Sequence, residues 1–177
     1  MKRNDSIIQT KRLYLRELTL NDAYAVYKHF SDSQVTRYMD IEPCKSLAEA
    51  EEIISFHIQD TGCRYGLFLH DSSQLIGTCG YHCWRHEPTI SKAELGFDLS
   101  PQYWGKGLMQ EGLLHMIRIG FDVMKLDVIE ATTDVANTRS QRLLKRLGFA
   151  AMGIQADGLL HFALYTPSKN INKGVES

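Results

Sequence analysis

Hydrophobic residues recur along this chain at two spacings, every second residue in some stretches and every third or fourth in others. The change from one to the other predicts its elements. Leu13, Leu15 and Leu18, with Tyr14 and Arg16 between them, predict a first strand within residues 7–18. Asn21 and Asp22 suit a helix start, and Ala23, Val26, Tyr27 and Phe30 follow at helical spacing. Residues 33–38 add a short helical turn. Ser46 and Glu49 form a capping-box pattern ahead of Ala50, Ile53, Ile54, His57 and Ile58, a helix expected to close near Gly62. Two strands at 67–70 and 75–84 flank the turn Asp71-Ser72-Ser73-Gln74 and predict a hairpin. A loop over 85–91 leads to the next strand.

That strand, 94–99, places Leu95, Phe97 and Leu99 on one side and Glu94 and Asp98 on the other. Pro101 cannot extend a ladder, so the strand stops there. Beyond it, Met109, Leu113, Met116, Ile117, Phe121 and Met124 line one face of a helix, with Glu111, His115, Arg118 and Asp122 on the other. A strand at 128–133, a helix at 137–147 closed by Gly148, and two strands at 149–154 and 159–165 complete the pattern. The order β-α-α-β-β-β-α-β-α-β-β predicts one mixed α/β domain over 1–168, of about seven strands and about four helices. Residues 169–177 are expected to form a flexible tail.

Composition narrows the class. The 177 residues are 44% hydrophobic and 23% charged, as in an ordinary globular domain. A formal net charge of −1 argues against a protein that grips nucleic acid by neutralising phosphates. No apolar run approaches the roughly 20 residues that cross a bilayer, and the start Met1-Lys2-Arg3-Asn4-Asp5 has no apolar segment behind its charges. A cytoplasmic location is expected, with Cys44, Cys63, Cys79 and Cys83 as reduced thiols. Cys79 and Cys83, with His82 and His86 nearby, suggest a metal. In one strand the two thiols would share a face roughly 13 Å apart, too far for one zinc ion. Buried thiols and no metal are expected instead.

The chemistry concentrates where the central strand meets the next helix. Gly105 and Gly107 sit at a helix start, where unpaired amides and the helix dipole favour an anion, and glycine lets it approach the main chain. A Walker loop is excluded because Lys106 is followed by glycine, and a Rossmann loop because the next glycine is Gly112. Gln102-Tyr103-Trp104-Gly105-Lys106-Gly107 instead resembles the pyrophosphate loop of the Gcn5-related N-acetyltransferases. Thr10–Glu17, Leu75–Tyr81, Asn137-Thr138-Arg139-Ser140 and Leu147-Gly148-Phe149 resemble the branch of ribosomal-protein N-terminal acetyltransferases, so the resemblance covers nearly the whole chain.

The resemblance implies that acetyl-coenzyme A (acetyl-CoA) lies along this region. The backbone of Phe97, Asp98 and Leu99 would pair with the pantetheine arm, in a gap between the 94–99 and 128–133 strands. The amides of Gln102, Tyr103, Trp104, Gly105, Lys106, Gly107, Leu108 and Met109 would surround the pyrophosphate. Asn137 would hydrogen-bond the pantetheine. Of the basic residues Arg139, Arg142, Lys145 and Arg146, one, assigned to Lys145, would meet the ribose 3′-phosphate, the others forming a solvated face. Ser140 is the candidate acid for the leaving thiolate, because it shares an inward stripe with Leu144 and Leu147 and the resembled branch carries serine there; the tyrosine that many members of the wider superfamily use four residues later is Leu144 here. The bland alternative for Ser140 is a hydrogen bond back to the carbonyl of Ala136. Glu94 is the candidate base, with His82 and His86 as lesser candidates. The implied activity is direct transfer of acetyl to a primary amine, a protein N-terminus or a small molecule. The rivals are a polyamine or antibiotic acetyltransferase and a non-catalytic acyl-CoA-binding module. Monomer and homodimer both stay open.

Overall fold

In a computed structural model, which describes residues 7–59 and 63–167, eight strands form one sheet in the order β1-β2-β3-β4-β5-β6-β8-β7. They are β1 (Ile8–Gln9), β2 (Leu13–Glu17), β3 (Cys63–Leu69), β4 (Leu75–His86), β5 (Ser91–Leu99), β6 (Val128–Thr133), β7 (Ala150–Ile154) and β8 (Leu160–Tyr165). The helices are α1 (Ala23–Phe30), α2 (Ser33–Thr36), α3 (Leu47–Gln59), α4 (Leu108–Arg118) and α5 (Thr138–Arg146). The predicted element order holds, with three amendments. The first strand is two, because β1 folds back antiparallel on β2 (Ile8 opposite Leu15). Strand β3 begins at Cys63, four residues earlier than the apolar run indicates. The 85–91 loop shrinks to residues 87–90, because β4 and β5 continue their pairing to His86 and Ser91. Gly62 and the 169–177 tail lie outside the described residues.

Every neighbouring pair is antiparallel except β5 and β6, whose connection is α4. Two cores lie on the two faces of the sheet. One packs Leu113 and Met116 of α4 and Leu144 of α5 against Leu13, Leu67, Ile76, Leu95, Ile129 and Phe162. The other packs Val26 and Phe30 of α1 and Ala50 and Ile54 of α3 against Leu18, Phe68 and Leu75. The stripes read from the sequence supply these contacts.

The helix after the glycine loop departs from its predicted regularity. Its α-helical part ends at Arg118, and Ile119–Val123 forms a π-helical turn. The extra residue there has a packing reason. Tyr81 of β4 reaches across and donates its hydroxyl to the Met116 carbonyl (2.8 Å), lying against Gly120, where a Cβ would come 2.4 Å from the Tyr81 oxygen. Burial pushes the Tyr81 phenol up, so it remains a neutral donor.

Candidate active site

Strands β5 and β6 pair over only three positions, Lys92 with Val128, Ala93 with Ile129 and Glu94 with Glu130. Beyond Glu94, β5 continues to Leu99 and β6 to Thr133 without pairing to each other, so the sheet opens there. A cleft of about 750 Å³ occupies the opening. It runs from Arg37, Tyr38 and Asp40 after α2, past Glu94, Gly96 and Phe97, to the glycine loop and the first turns of α4 and α5. An open edge of strand backbone inside a cleft is what an extended ligand arm needs.

The glycine loop forms one end. Gly105 and Gly107 take positive φ (73° and 72°), and Gly107 is the residue before α4. Only glycine adopts this conformation without strain, and it leaves the amides of the first turn of α4 without a side-chain cap. A second layer holds the loop. Glu111 accepts from Thr10 Oγ1 (2.6 Å), the Arg12 amide (2.7 Å) and Arg12 Nε (2.7 Å), while Arg12 Nη1 donates to the Lys106 carbonyl (2.9 Å). Burial works against the Glu111 charge, but these donors outweigh it and lower its pKa. Trp104 donates Nε1 to the Leu99 carbonyl (2.7 Å), and the Arg139 guanidinium stacks 3.5 Å from the Trp104 ring centroid. The Leu99 carbonyl therefore already has a partner, and the backbone of Phe97 with the Leu99 amide remains for an arm. Asp98 departs from expectation, because the Ser100 amide donates to Ile76 of β4 and strand alternation turns the Asp98 backbone the same way.

Helix α5 supplies the side wall. Asn137 caps it, accepting from the Ser140 amide (3.2 Å), so its carboxamide keeps only its NH2 donors for a ligand. Ser140 lines the cleft, and among the described residues its hydroxyl has no hydrogen-bond partner; the bond to Ala136 is not made. Leu144 is fully buried beneath it. Of the basic residues, Arg139, Arg142 and Arg146 line the cleft and Lys145 does not, pointing instead to solvent. Gln102 and Lys106 are also exposed and outside the lining, with the Lys106 ammonium 5.4 Å from the Tyr103 ring. Tyr103, Trp104, Gly105, Gly107, Leu108 and Met109 all line it.

At the other end, Glu94 is partly exposed in the cleft. Thr132 Oγ1 of β6 donates to its Oε1 (2.6 Å), and His82, its cross-strand partner, stands with Nε2 3.6 Å from Oε2. His86 faces away, near Ser91 Oγ (3.2 Å). Cys83 corrects an expectation. A bulge in β4 between His82 and Arg85, with Cys83 at φ 51°, breaks the alternation, so Cys79 is buried and Cys83 exposed.

Beneath β5 lies a polar group that strand alternation alone does not show. Asp98 is buried against the α1 layer and accepts from His29 Nε2 (2.6 Å), Arg64 Nη2 (2.8 Å), and the amide (2.9 Å) and hydroxyl of Thr78. His29 Nδ1 meets Ser100 Oγ (2.8 Å). Burial alone would raise the Asp98 pKa, yet the His29 hydrogen bond and charge, with Arg64 and Thr78, bring it down to about 2. One signal was available: His29 falls three residues after Val26 on the apolar stripe of α1. Arg12, Arg64 and Thr132 carried none.

An acetyltransferase (GNAT) domain model matches residues 12–150 of the chain. The chain belongs to the GNAT acetyltransferase family. The uncharacterized N-acetyltransferase p20 of Bacillus licheniformis is 33% identical over 154 residues, covering 85% of each chain. The [ribosomal protein uS5]-alanine N-acetyltransferase of Escherichia coli is 32% identical over 143 residues, covering 80% of this chain and 73% of its own. A solved GNAT acetyltransferase from Bacillus anthracis superposes with a TM-score of 0.77 at 23% identity, over 90% of this chain and 98% of that one. This GNAT protein is thus an N-acetyltransferase acting on amines, of a family that uses acetyl-CoA as co-substrate. Among the described residues no helix is long and apolar enough to cross a membrane.

Proposed function

We propose that this enzyme transfers acetyl from acetyl-CoA directly to a primary amine, and that its acceptor is a protein or peptide N-terminus. The observation that carries the first part is the parting of β5 and β6 after Glu94, inside a cleft with a phosphate-suited loop at one end and a carboxylate at the other. The amides following Gly105 and Gly107 hold the pyrophosphate, and the backbone of Phe97 with the Leu99 amide pairs with the pantetheine. Asn137 donates to an amide carbonyl of that arm. Arg142 or Arg146, in place of Lys145, meets the ribose phosphate.

The amine attacks the thioester carbonyl carbon, and Glu94, steadied by Thr132, takes the proton that the nitrogen sheds, directly or through a water. When the tetrahedral intermediate collapses the carbon–sulfur bond breaks, and Ser140 gives its hydroxyl proton to the thiolate and recovers one from solvent. No acyl-enzyme forms. The acceptor end supports a peptide over a polyamine. Its charged residues, Arg37 and Arg64 against Asp40, Glu94 and Asp98, largely offset one another, whereas a polyamine would call for a run of carboxylates. The resemblance to the uS5-alanine N-acetyltransferase supports the same class.

The test compares peptides with free N-termini against lysine-like amines and polyamines, in wild type and Glu94→Gln. An α-amine titrates near about 7.7–8.0 and a lysine amine near about 10.4, so only the latter is almost wholly charged at neutral pH. Peptide N-termini should be the better substrates. Glu94→Gln should slow lysine-like amines far more than peptide N-termini across about pH 6 to 9. A polyamine preferred over every peptide would overturn the acceptor class. A ratio of kcat/KM values unmoved by the substitution would remove Glu94 as base.

A further inference from the structure

Beside the acceptor end of the cleft, which His82 and Glu94 line and Cys83 flanks from outside, donor atoms of three chemical kinds converge from two strands. A ring nitrogen of His82, the thiol of Cys83 and a carboxylate oxygen of Glu94 all lie within 4.8 Å of one another. We propose that they form a site for a thiophilic divalent cation, zinc above all, and that the ion shuts off acetyl transfer while bound.

The donor set comes first. Thiolate, imidazole and carboxylate are the three ligand types zinc takes from proteins, and three protein ligands leave a fourth position open to water or an amine. Hard cations such as magnesium and calcium select oxygen donors and would decline the thiol and the imidazole. The spacing is also close to what the ion requires. Zinc bonds of about 2.0–2.3 Å in a tetrahedron set their donors roughly 3.3–3.6 Å apart. His82 Nε2 and Glu94 Oε2 already stand 3.6 Å apart, although the cross-strand pair makes no hydrogen bond at that distance. The thiol closes the remaining gap by side-chain rotation, since Cys83 is exposed.

The bulge is what brings the third ligand in. In an unbroken strand Cys83 would face away from His82 and from its partner Glu94; the extra residue and the positive φ of Cys83 turn it out of that alternation. The surroundings are half prepared. Thr132 Oγ1 holds Oε1 of Glu94 and leaves Oε2 for a metal. His82 Nδ1 is buried with no hydrogen-bond partner among the described residues, near the Arg64 guanidinium. A metal-bound histidine normally gives that proton to an acceptor. Lacking one, the site should bind reversibly and serve as an inhibitory site rather than a structural one.

Binding follows balanced chemistry: the thiol of Cys83 forms a sulfur–metal bond and releases one proton to solvent. The inhibition, unlike the binding, rests on Glu94 being the base, because the ion occupies the oxygen that would receive the proton.

The experiment titrates the protein with cobalt(II) as a spectroscopic stand-in for zinc, then displaces it with zinc, without acetyl-CoA present. Wild type should develop a thiolate-to-cobalt charge-transfer absorption that zinc removes. Cys83→Ser should lose that absorption and keep its acetyl-transfer rate. His82→Gln should weaken binding by more than the roughly 10- to 100-fold that loss of an outer-shell partner costs. Absence of the absorption in wild type, or its persistence in Cys83→Ser through another thiol, would overturn the site. Zinc should lower acetyl transfer in wild type and spare Cys83→Ser, with product followed by mass because free coenzyme A binds zinc. A site that fills without inhibiting supports the metal assignment and counts against Glu94 as base, so the two readings fail separately.

Discussion

The first turn of α5 holds two polar side chains that divide their labour. Asn137 spends its oxygen on the Ser140 amide, while the Ser140 hydroxyl faces the cleft without a partner among the described residues. If that hydroxyl protonates the thiolate, Ser140→Ala should lower kcat by about 10²- to 10⁴-fold. Coenzyme A affinity by calorimetry should hardly change, since the cap stays intact. Equal turnover in the two proteins would reduce Ser140 to a helix residue. Both residues were legible because a cap and a helix face are local matters of spacing. Lys145 lies outside the cleft lining for a reason of helix geometry. At 100° per residue it stands about 140° around the helix from Ser140, while Arg139, Arg142 and Arg146 fall on the other flank, beside the cleft. Composition shows that the helix is basic; only its rotation shows which cation faces the cleft.

Between elements, the glycine loop is tied to the start of β2 as well as to α4. Arg12 bonds both the Lys106 carbonyl and Glu111, and it is half exposed, so the ion pair itself adds little stability. Its role is to hold the loop. Arg12→Ala should raise KM for acetyl-CoA several-fold with a small change in Tm and in kcat. Gly107→Ala should weaken coenzyme A binding and also cost stability, because a non-glycine residue at that φ carries about 1–2 kcal/mol of strain. Unchanged coenzyme A affinity in a folded Gly107→Ala protein would remove the loop as the phosphate site. The loop was readable from two glycines and a following apolar stripe. The π-helical turn at Ile119–Val123 and the bulge at Cys83 were not. Each inserts one residue into a regular ladder for the sake of a tertiary contact or re-aimed side chain, and periodicity averages over one residue.

Across the whole molecule, Asp98 joins the two halves of the fold. It sits on β5, where the arm of acetyl-CoA is proposed to lie, and binds His29 of α1, Arg64 of β3 and Thr78 of β4. Sequence pattern correctly sets Glu94 and Asp98 on one strand face; that the face is covered by α1 depends on pairing residues nearly seventy positions apart. The buried charge has a measurable consequence. Because the Asp98 pKa falls from 3.8 to about 2 on folding, the unfolded chain takes up its proton first as pH drops. The stability it contributes is full above pH 3.8 and is lost as pH falls towards about 2, an amount of about 2 kcal/mol. Glu111 and Asp22 are lowered as well and act in the same direction. Asp98→Asn should therefore be less stable than wild type at neutral pH, by about 3–5 kcal/mol, since Arg64 and His29 lose their charged partner. Its stability should fall less steeply than that of wild type between about pH 4 and 2. Denaturant unfolding of both proteins at several pH values measures this directly. Parallel curves through that window would mean that Asp98 titrates alike in the folded and unfolded chains, and that the buried group is not what ties α1 to the central strand.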